Sequence, residues 1–203
     1  MKLYDGGRAP NPRRVRIFLA EKDIEIEKQQ VDIGALEHKG PAYTAINPLQ
    51  QVPTLVLDDG TVITESIAIC RYFEALQPEP ALFGRSGRDA AIVEMWNRRL
   101  EQRLLLGVAQ VLRHLHPGMK ALENPQIATW GKANKPRVED FLRLLDRELA
   151  ARPYAAGDRF SVADITGLVS IDLMKPAKLA VTDEMTNVRR WHADISARPS
   201  AAA

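Results

Sequence analysis

The strongest constraint on this chain is a change of period near residue 80. Up to about residue 76, short runs with strand spacing alternate with runs of helical spacing. Beyond Gly84-Arg85-Ser86-Gly87 no strand pattern survives, and every segment reads as helix. Gln77-Pro78-Glu79-Pro80 and the Gly84–Gly87 stretch bracket a linker. The predicted organisation is a mixed α/β domain over residues 1–78, a linker over 79–87 and an all-helical domain over 88–203. With 203 residues, 45% apolar and 27% charged, the chain has enough material for two packed cores and is neither disordered nor fibrous in composition.

Within the first part, Lys2–Asp5 reads as a strand that stops at Gly6-Gly7. Pro12 then suits the first position of a helix whose stripe is Val15, Phe18 and Leu19. Ile24, Ile26, Val31 and Ile33 suggest a second, partly buried strand, followed by a polar segment through His38, Lys39 and Gly40. Thr54–Leu57 and Thr61–Ile63 flank Asp58-Asp59-Gly60, a hairpin signal, because glycine accepts the positive φ of a tight turn. A helix opens at Ser66 with the apolar face Ile67, Ile69, Cys70, Phe73 and Leu76. The order is βαβ, an irregular or helical link, then ββα. In the second part, helices are expected over about 88–116, 137–151, 161–173 and 186–197, with Pro136 starting or kinking one of them. Ser161 and Asp164 have the spacing of a reciprocal helix cap.

Charge and cysteine content exclude several classes. Lys+Arg 28 against Asp+Glu 26, spread along the chain, does not suggest nucleic-acid binding. No apolar stretch approaches the roughly 20 residues that cross a bilayer, and the N-terminus lacks a signal peptide's apolar region, so no membrane association and a cytoplasmic location are expected. One cysteine, Cys70, allows no internal disulfide and no thiolate metal site, so any thiol chemistry needs a thiol from outside. His114 and His116 fall on different faces of one helix with no acidic partner in register, so no metal is assigned.

The segment Asn47-Pro48-x-x-Gln51-Val52-Pro53, the Asp-Gly hairpin, and Glu65-Ser66 opening a helix together resemble the glutathione site of the cytosolic glutathione transferases. Phe160-Ser161-Val162-Ala163-Asp164 resembles the same family's C-terminal capping motif, and the likeness covers the whole chain in order. It implies a thioredoxin-like N-terminal domain joined to an all-α C-terminal domain. Further implications are reduced glutathione as substrate, a cis proline at Pro53, backbone recognition by Val52 beside Gln51, and a homodimer. In that dimer the Glu65–Leu76 helix lies near the partner's helix over 88–116, where the face Arg98, Arg99, Glu101, Gln102 and Arg103 meets opposite charge across the axis or, as the alternative, is simply solvated.

Ser66 has the chemistry of a helix N-cap, and the same helix end suits the γ-glutamyl carboxylate. Glu65 is placed by the resemblance near the ligand's ammonium. His38 or Lys39 lies where the family sends a side chain to the glycyl carboxylate, with a solvated loop as the alternative. The hydroxyl or thiol position of the first loop falls on Ala9, which has no such group. Ala9-Pro10-Asn11-Pro12 looks most like the bacterial nu-type members, so Asn11 is the candidate for holding the thiolate and Arg8 a second one. The alternative for Asn11 is that it only shapes the turn or caps the helix.

The implied reaction is conjugation of glutathione to an electrophilic, largely apolar co-substrate. Glutathione-dependent reduction of a disulfide or peroxide is the enzymatic rival, and a non-catalytic binding or regulatory module is the other. The co-substrate would meet the loop near Arg8 and apolar residues among Leu104–Leu106, Val108, Val111, Leu112 and Leu115, all of which core packing also explains.

Overall fold

The computed structural model describes residues 1–203 and divides into two compact units. The first comprises Met1–Leu82 together with Pro199–Ala203, the second Phe83–Arg198.

In the first unit, β1 (Lys2–Asp5) runs into α1 (Pro10–Glu21) and β2 (Glu27–Gln30); α2 (Pro41–Ile46) follows, then β3 (Thr54–Val56), β4 (Val62–Thr64) and α3 (Ser66–Leu76). The four strands are ordered β2-β1-β3-β4, with β1 and β2 parallel and the β1/β3 and β3/β4 pairs antiparallel. This is the thioredoxin-like arrangement the resemblance implies. Leu3, Leu55, Val15, Ile17, Phe18, Ile69 and Phe73 form its dry core between the sheet and the pair α1 and α3. The second strand is shorter and more polar than its flanking isoleucines suggest. Glu27–Gln30 are all exposed, because β2 is an edge strand whose pairing to β1, not side-chain burial, defines it.

Helix α1 is fastened at several points. Lys22, fully buried just past its C-terminus, donates to the Gln77 carbonyl at 2.7 Å and to the Pro80 carbonyl at 2.8 Å, and its ammonium pairs in charge with Glu74 at 2.7 Å. Arg16 reaches Asp5 at the end of β1 at 2.6 Å, and Gln30 donates to the same carboxylate at 2.8 Å. The short 3₁₀ segment Pro199–Ala202 lies along α1: Arg13 donates to the Ala201 carbonyl at 3.0 Å and the Ser200 hydroxyl donates to Glu21.

The second unit is helical throughout: α4 (Gly87–Arg99), a π-helical stretch Leu100–Leu105, α5 (Leu106–Leu115), α6 (Ala128–Leu149), α7 (Val162–Asp172) and α8 (Thr186–Ser196). Helix α6 begins nine residues before the expected 137 and carries Pro136 in its interior. Proline removes one ladder bond, and tertiary contacts hold the preceding turns: Trp130 donates to Gln110 at 2.8 Å, and Gly131 packs directly on Leu115 and His114. Ser161 and Asp164 form the reciprocal cap of α7. Leu104, Leu105, Val108 and Val111 are buried in this unit's core, whereas Leu106 is half exposed. No helix is long and apolar enough to cross a membrane.

Candidate active site

Strand register gathers the site. Thr54 pairs with Tyr4 on one side and with Thr64 on the other. The end of β1, the start of β3 and the end of β4 therefore lie side by side, and the chain enters or leaves them there through Gly6, Val52-Pro53 and Glu65-Ser66. Three chain segments remote in sequence thus meet at one end of the sheet. Their closeness is direct at Gly6, where a Cβ would stand 2.5 Å from Val52 Cγ2 and 3.3 Å from Pro12 Cγ.

The Val52–Pro53 peptide is cis. The loop in front of it is held by a buried polar knot that sequence reading credited only through its Asn47-Pro48 motif. The Gln51 carbonyl accepts from the Tyr43 hydroxyl at 2.6 Å and from Asn47 Nδ2 at 2.8 Å. Asn47 Nδ2 also lies 3.1 Å from Thr54 Oγ1, which is 2.9 Å from the Tyr43 hydroxyl. Burial pushes the Tyr43 hydroxyl's pKa up, opposed by its bonds to Thr54 and Asn47, so it stays a protonated donor. The local signal for this role was a tyrosine on one short helix four residues ahead of the asparagine that follows it, too weak to read without the loop it supports. The Gln51 side chain itself is exposed and Val52 half-buried.

Glu65, not Ser66, is the capping residue of α3. Its backbone has φ 65 and ψ 116, and no side chain caps the helix. Strand β4 ends at Thr64, so the reversal of direction falls on Glu65 and leaves Ser66 as the first helical residue, its side chain buried. Glu65 itself is exposed. The open N-terminus of α3 keeps backbone N–H groups for an anionic guest.

Helix α1 starts at Pro10, two residues earlier than Pro12, with Ala9 as its cap at φ −65 and ψ 142 and no side-chain capping bond. Both prolines therefore sit in the first turn, where a missing N–H costs nothing. The Arg13 N–H is used on the Ala9 carbonyl at 3.2 Å and the Ala9 N–H on Gly6 at 3.2 Å. Asn11, exposed at the second helical position, consequently supplies the one uncommitted backbone N–H of that turn as well as its side-chain amide. Arg8 is exposed on the loop, and its guanidinium makes no hydrogen bond within the protein.

His38 is 6% exposed on the 3₁₀ turn Glu37–Lys39, its Nδ1 is buried without a partner, and it makes no hydrogen bond to the other candidate residues. Burial, then the neighbouring Lys39 charge, lowers its pKa and keeps the ring neutral. Cys70 is fully buried on α3, and burial pushes its thiol up to about 12 despite the nearby Arg14, so it supplies no thiolate. No group of three or more His, Cys, Asp or Glu gathers in metal-binding geometry.

The profile of the glutathione S-transferase N-terminal domain matches residues 9–76 and that of the C-terminal domain matches residues 111–199. The chain belongs to the glutathione S-transferase family. Glutathione S-transferase 2 of Saccharomyces cerevisiae is 36% identical over 203 residues, covering 98% of this chain and 87% of the yeast protein. The crystal structure of Gtt2 from Saccharomyces cerevisiae superposes with a TM-score of 0.94 at 36% identity, covering 100% of this chain and 99% of that one. A structure of glutathione S-transferase-I bound with lactoylglutathione aligns at a TM-score of 0.81 and 25% identity, over 99% of this chain and 96% of that one. As a glutathione S-transferase, the chain has the family's two domain types and the loop, cis proline and α3 N-terminus at one sheet end.

Proposed function

We propose that the protein is a glutathione transferase that binds reduced glutathione at this sheet end, holds its sulfur as thiolate at Asn11 and transfers it to an electrophilic carbon. The observation that carries the reading is the convergence of Gly6, Val52-Pro53 and Glu65-Ser66 beside a helix turn whose uncommitted donors are those of Asn11.

In this reading the Val52 backbone pairs with the cysteinyl part of glutathione as an added strand would. The N-terminus of α3 at Ser66 receives the γ-glutamyl carboxylate, helped by its partial positive charge. Glu65 faces the α-ammonium, and Gln51, His38 and Arg8 lie at the rim. The chemical step needs little from the protein beyond thiolate stabilisation. The sulfur lone pair forms the S–C bond, and the leaving group departs with its electron pair or, in an addition, the electron pair passes onto the acceptor and is protonated by water.

The family also supports a homodimer in which α3 of one subunit approaches α4 and α5 of the other. The charged face expected to meet across the axis is partly spent inside its own helix: Arg98 pairs with Glu94 at 2.8 Å and Glu101 at 3.1 Å, and Arg99 covers the Trp96 ring. The exposed apolar side chains Leu76 on α3, Met95 on α4 and Leu106 on α5 are the better contacts.

Retention on immobilised glutathione with release by free glutathione, followed by turnover of an aromatic halide, tests the assignment. Turnover of a small mixed disulfide with no halide conjugation would instead assign glutathione-dependent reduction, and no retention at all would leave only a fold without the site.

A further inference from the structure

Gly6 and Gly7 are glycines for different reasons. Gly7 has a positive φ of 57, and a Cβ there would meet only Gln30 Oε1 at 3.9 Å, so its backbone conformation selects glycine. Gly6 has no positive φ, so conformation does not demand a glycine there. Space does. A Cβ on Gly6 would stand 2.5 Å from Val52 Cγ2, 2.8 Å from Ile33 Cδ1 and 3.3 Å from Pro12 Cγ, against the about 3.5–4.0 Å at which carbon atoms touch.

Those three neighbours yield unequally. Ile33 Cδ1 is the end of a flexible side chain and can swing away. Pro12 is a fixed ring in the first turn of α1. Val52 is stiff at χ1, and the proline after it restricts its backbone too. Relief therefore costs either a disfavoured Val52 χ1 or a backbone shift, in which the loop leading to Asn11 lifts or Val52 retreats.

We infer that Gly6 is the positioning residue of the glutathione site, its missing side chain letting the loop that carries Asn11 close onto Val52 and so setting the separation between thiol holder and cysteinyl-binding backbone. This rests on the glutathione reading above. Gly6 touches no reacting atom; it acts through where Val52 and Asn11 stand.

Steady-state kinetics of Gly6→Ala test it, with Val52→Ala and the double variant. Gly6→Ala should lower kcat/KM for glutathione by about 10- to 100-fold, the scale of a misplacement near 1 Å, and raise the apparent thiol pKa in the pH–rate profile while leaving KM for the electrophile within about twofold. In the Val52→Ala background, where the opposing methyls are gone, the further loss from Gly6→Ala should be less than about threefold, a coupling that general destabilisation does not produce. Should Gly6→Ala fail to fold, Val52→Ile presses on Gly6 from the other side and should give the same glutathione-specific loss. An unchanged glutathione kcat/KM in the folded variant, or an equal loss in both backgrounds, would overturn the inference with the glutathione reading intact. A parent protein that neither binds nor turns over glutathione would overturn both.

Discussion

The indole N–H of Trp191 on α8 donates to Oδ1 of Asp164 on α7 at 2.8 Å, inside the core of the helical unit. The same oxygen accepts the Ala155 N–H at 2.8 Å, while Oδ2 accepts the Ser161 N–H at 2.9 Å and lies 3.1 Å from its hydroxyl. The indole ring closes over Gly167, where a Cβ would come 2.8 Å from Cζ2. One buried carboxylate thus caps a helix, pins a loop and orients the tryptophan that packs α8 on α7.

Asp164→Ala should cost about 3–5 kcal/mol, because it strands three buried N–H donors at once and each unsatisfied group costs about 1–3 kcal/mol. Asp164→Asn, which keeps one acceptor oxygen, should lie between the parent and the alanine variant. Urea unfolding followed by circular dichroism reads the difference, and a loss under about 1 kcal/mol for Asp164→Ala would contradict this account.

The sequence was most legible where its cues are local. The Asp58-Asp59-Gly60 hairpin, with Gly60 at φ 85, and the Ser161/Asp164 cap needed only a few adjacent residues. Thr54–Val56 and Val62–Thr64 followed from their spacing around that turn. Elements decided by tertiary contact were not legible: β2 is four exposed residues chosen by pairing to β1, and α6 runs through Pro136 because Trp130 and Gly131 are held by α5. For the candidate site, Asn11, Val52-Pro53 and Glu65-Ser66 could be named from motif likeness, but the contact of Gly6 with Val52 depends on a register between strands some fifty residues apart, which no local pattern carries. The start of α1 at Pro10 was missed because either proline is compatible with a first turn.

His38 gives a pH signature with a definite sign. Its pKa is lowered in the folded protein by burial and by Lys39, so below the ordinary histidine range near ~6.5 the unfolded chain takes up the proton first. Its contribution is intact above that range and is lost as pH falls through it. The parent should therefore lose stability more steeply than His38→Gln between pH values of about 7.5 and about 5.5. Parallel slopes for the two proteins would show that His38 is not held neutral.

Light scattering at micromolar concentration should return a mass twice the 22.7 kDa of the chain. Replacing the exposed Leu76 and Met95 together by lysine should shift the protein toward monomer, since two buried charges per subunit destabilise a two-fold interface that repeats them. A monomeric parent would remove the dimer, and an unaffected double variant would move the interface elsewhere.

The thiolate assignment makes the sharpest demand on Asn11. A thiol that titrates near ~8.5 in water loses its proton at lower pH only if the anion is preferentially stabilised, by about 1.36 kcal/mol per unit. A hydrogen bond from the Asn11 amide to a charged sulfur is worth about 1.5–3 kcal/mol, equivalent to a shift of about one to two units. The helix end adds about 0.3–1 kcal/mol, delivered through the Asn11 backbone N–H, the donor left free in a turn containing Pro10 and Pro12. Asn11→Ala removes the first contribution and keeps the second. The apparent pKa of bound glutathione should therefore rise by about one to two units while remaining below that of the free thiol. Ultraviolet absorbance of the thiolate in the binary complex reads it directly, and a pH–rate profile reads it in turnover. Cys70→Ala should leave the curve in place, because that thiol is buried and pushed up to about 12. If Asn11→Ala keeps both the parent's pKa and its turnover with the fold intact, the side-chain amide does not hold the sulfur, and the role passes to Arg8 or to the Asn11 backbone N–H alone.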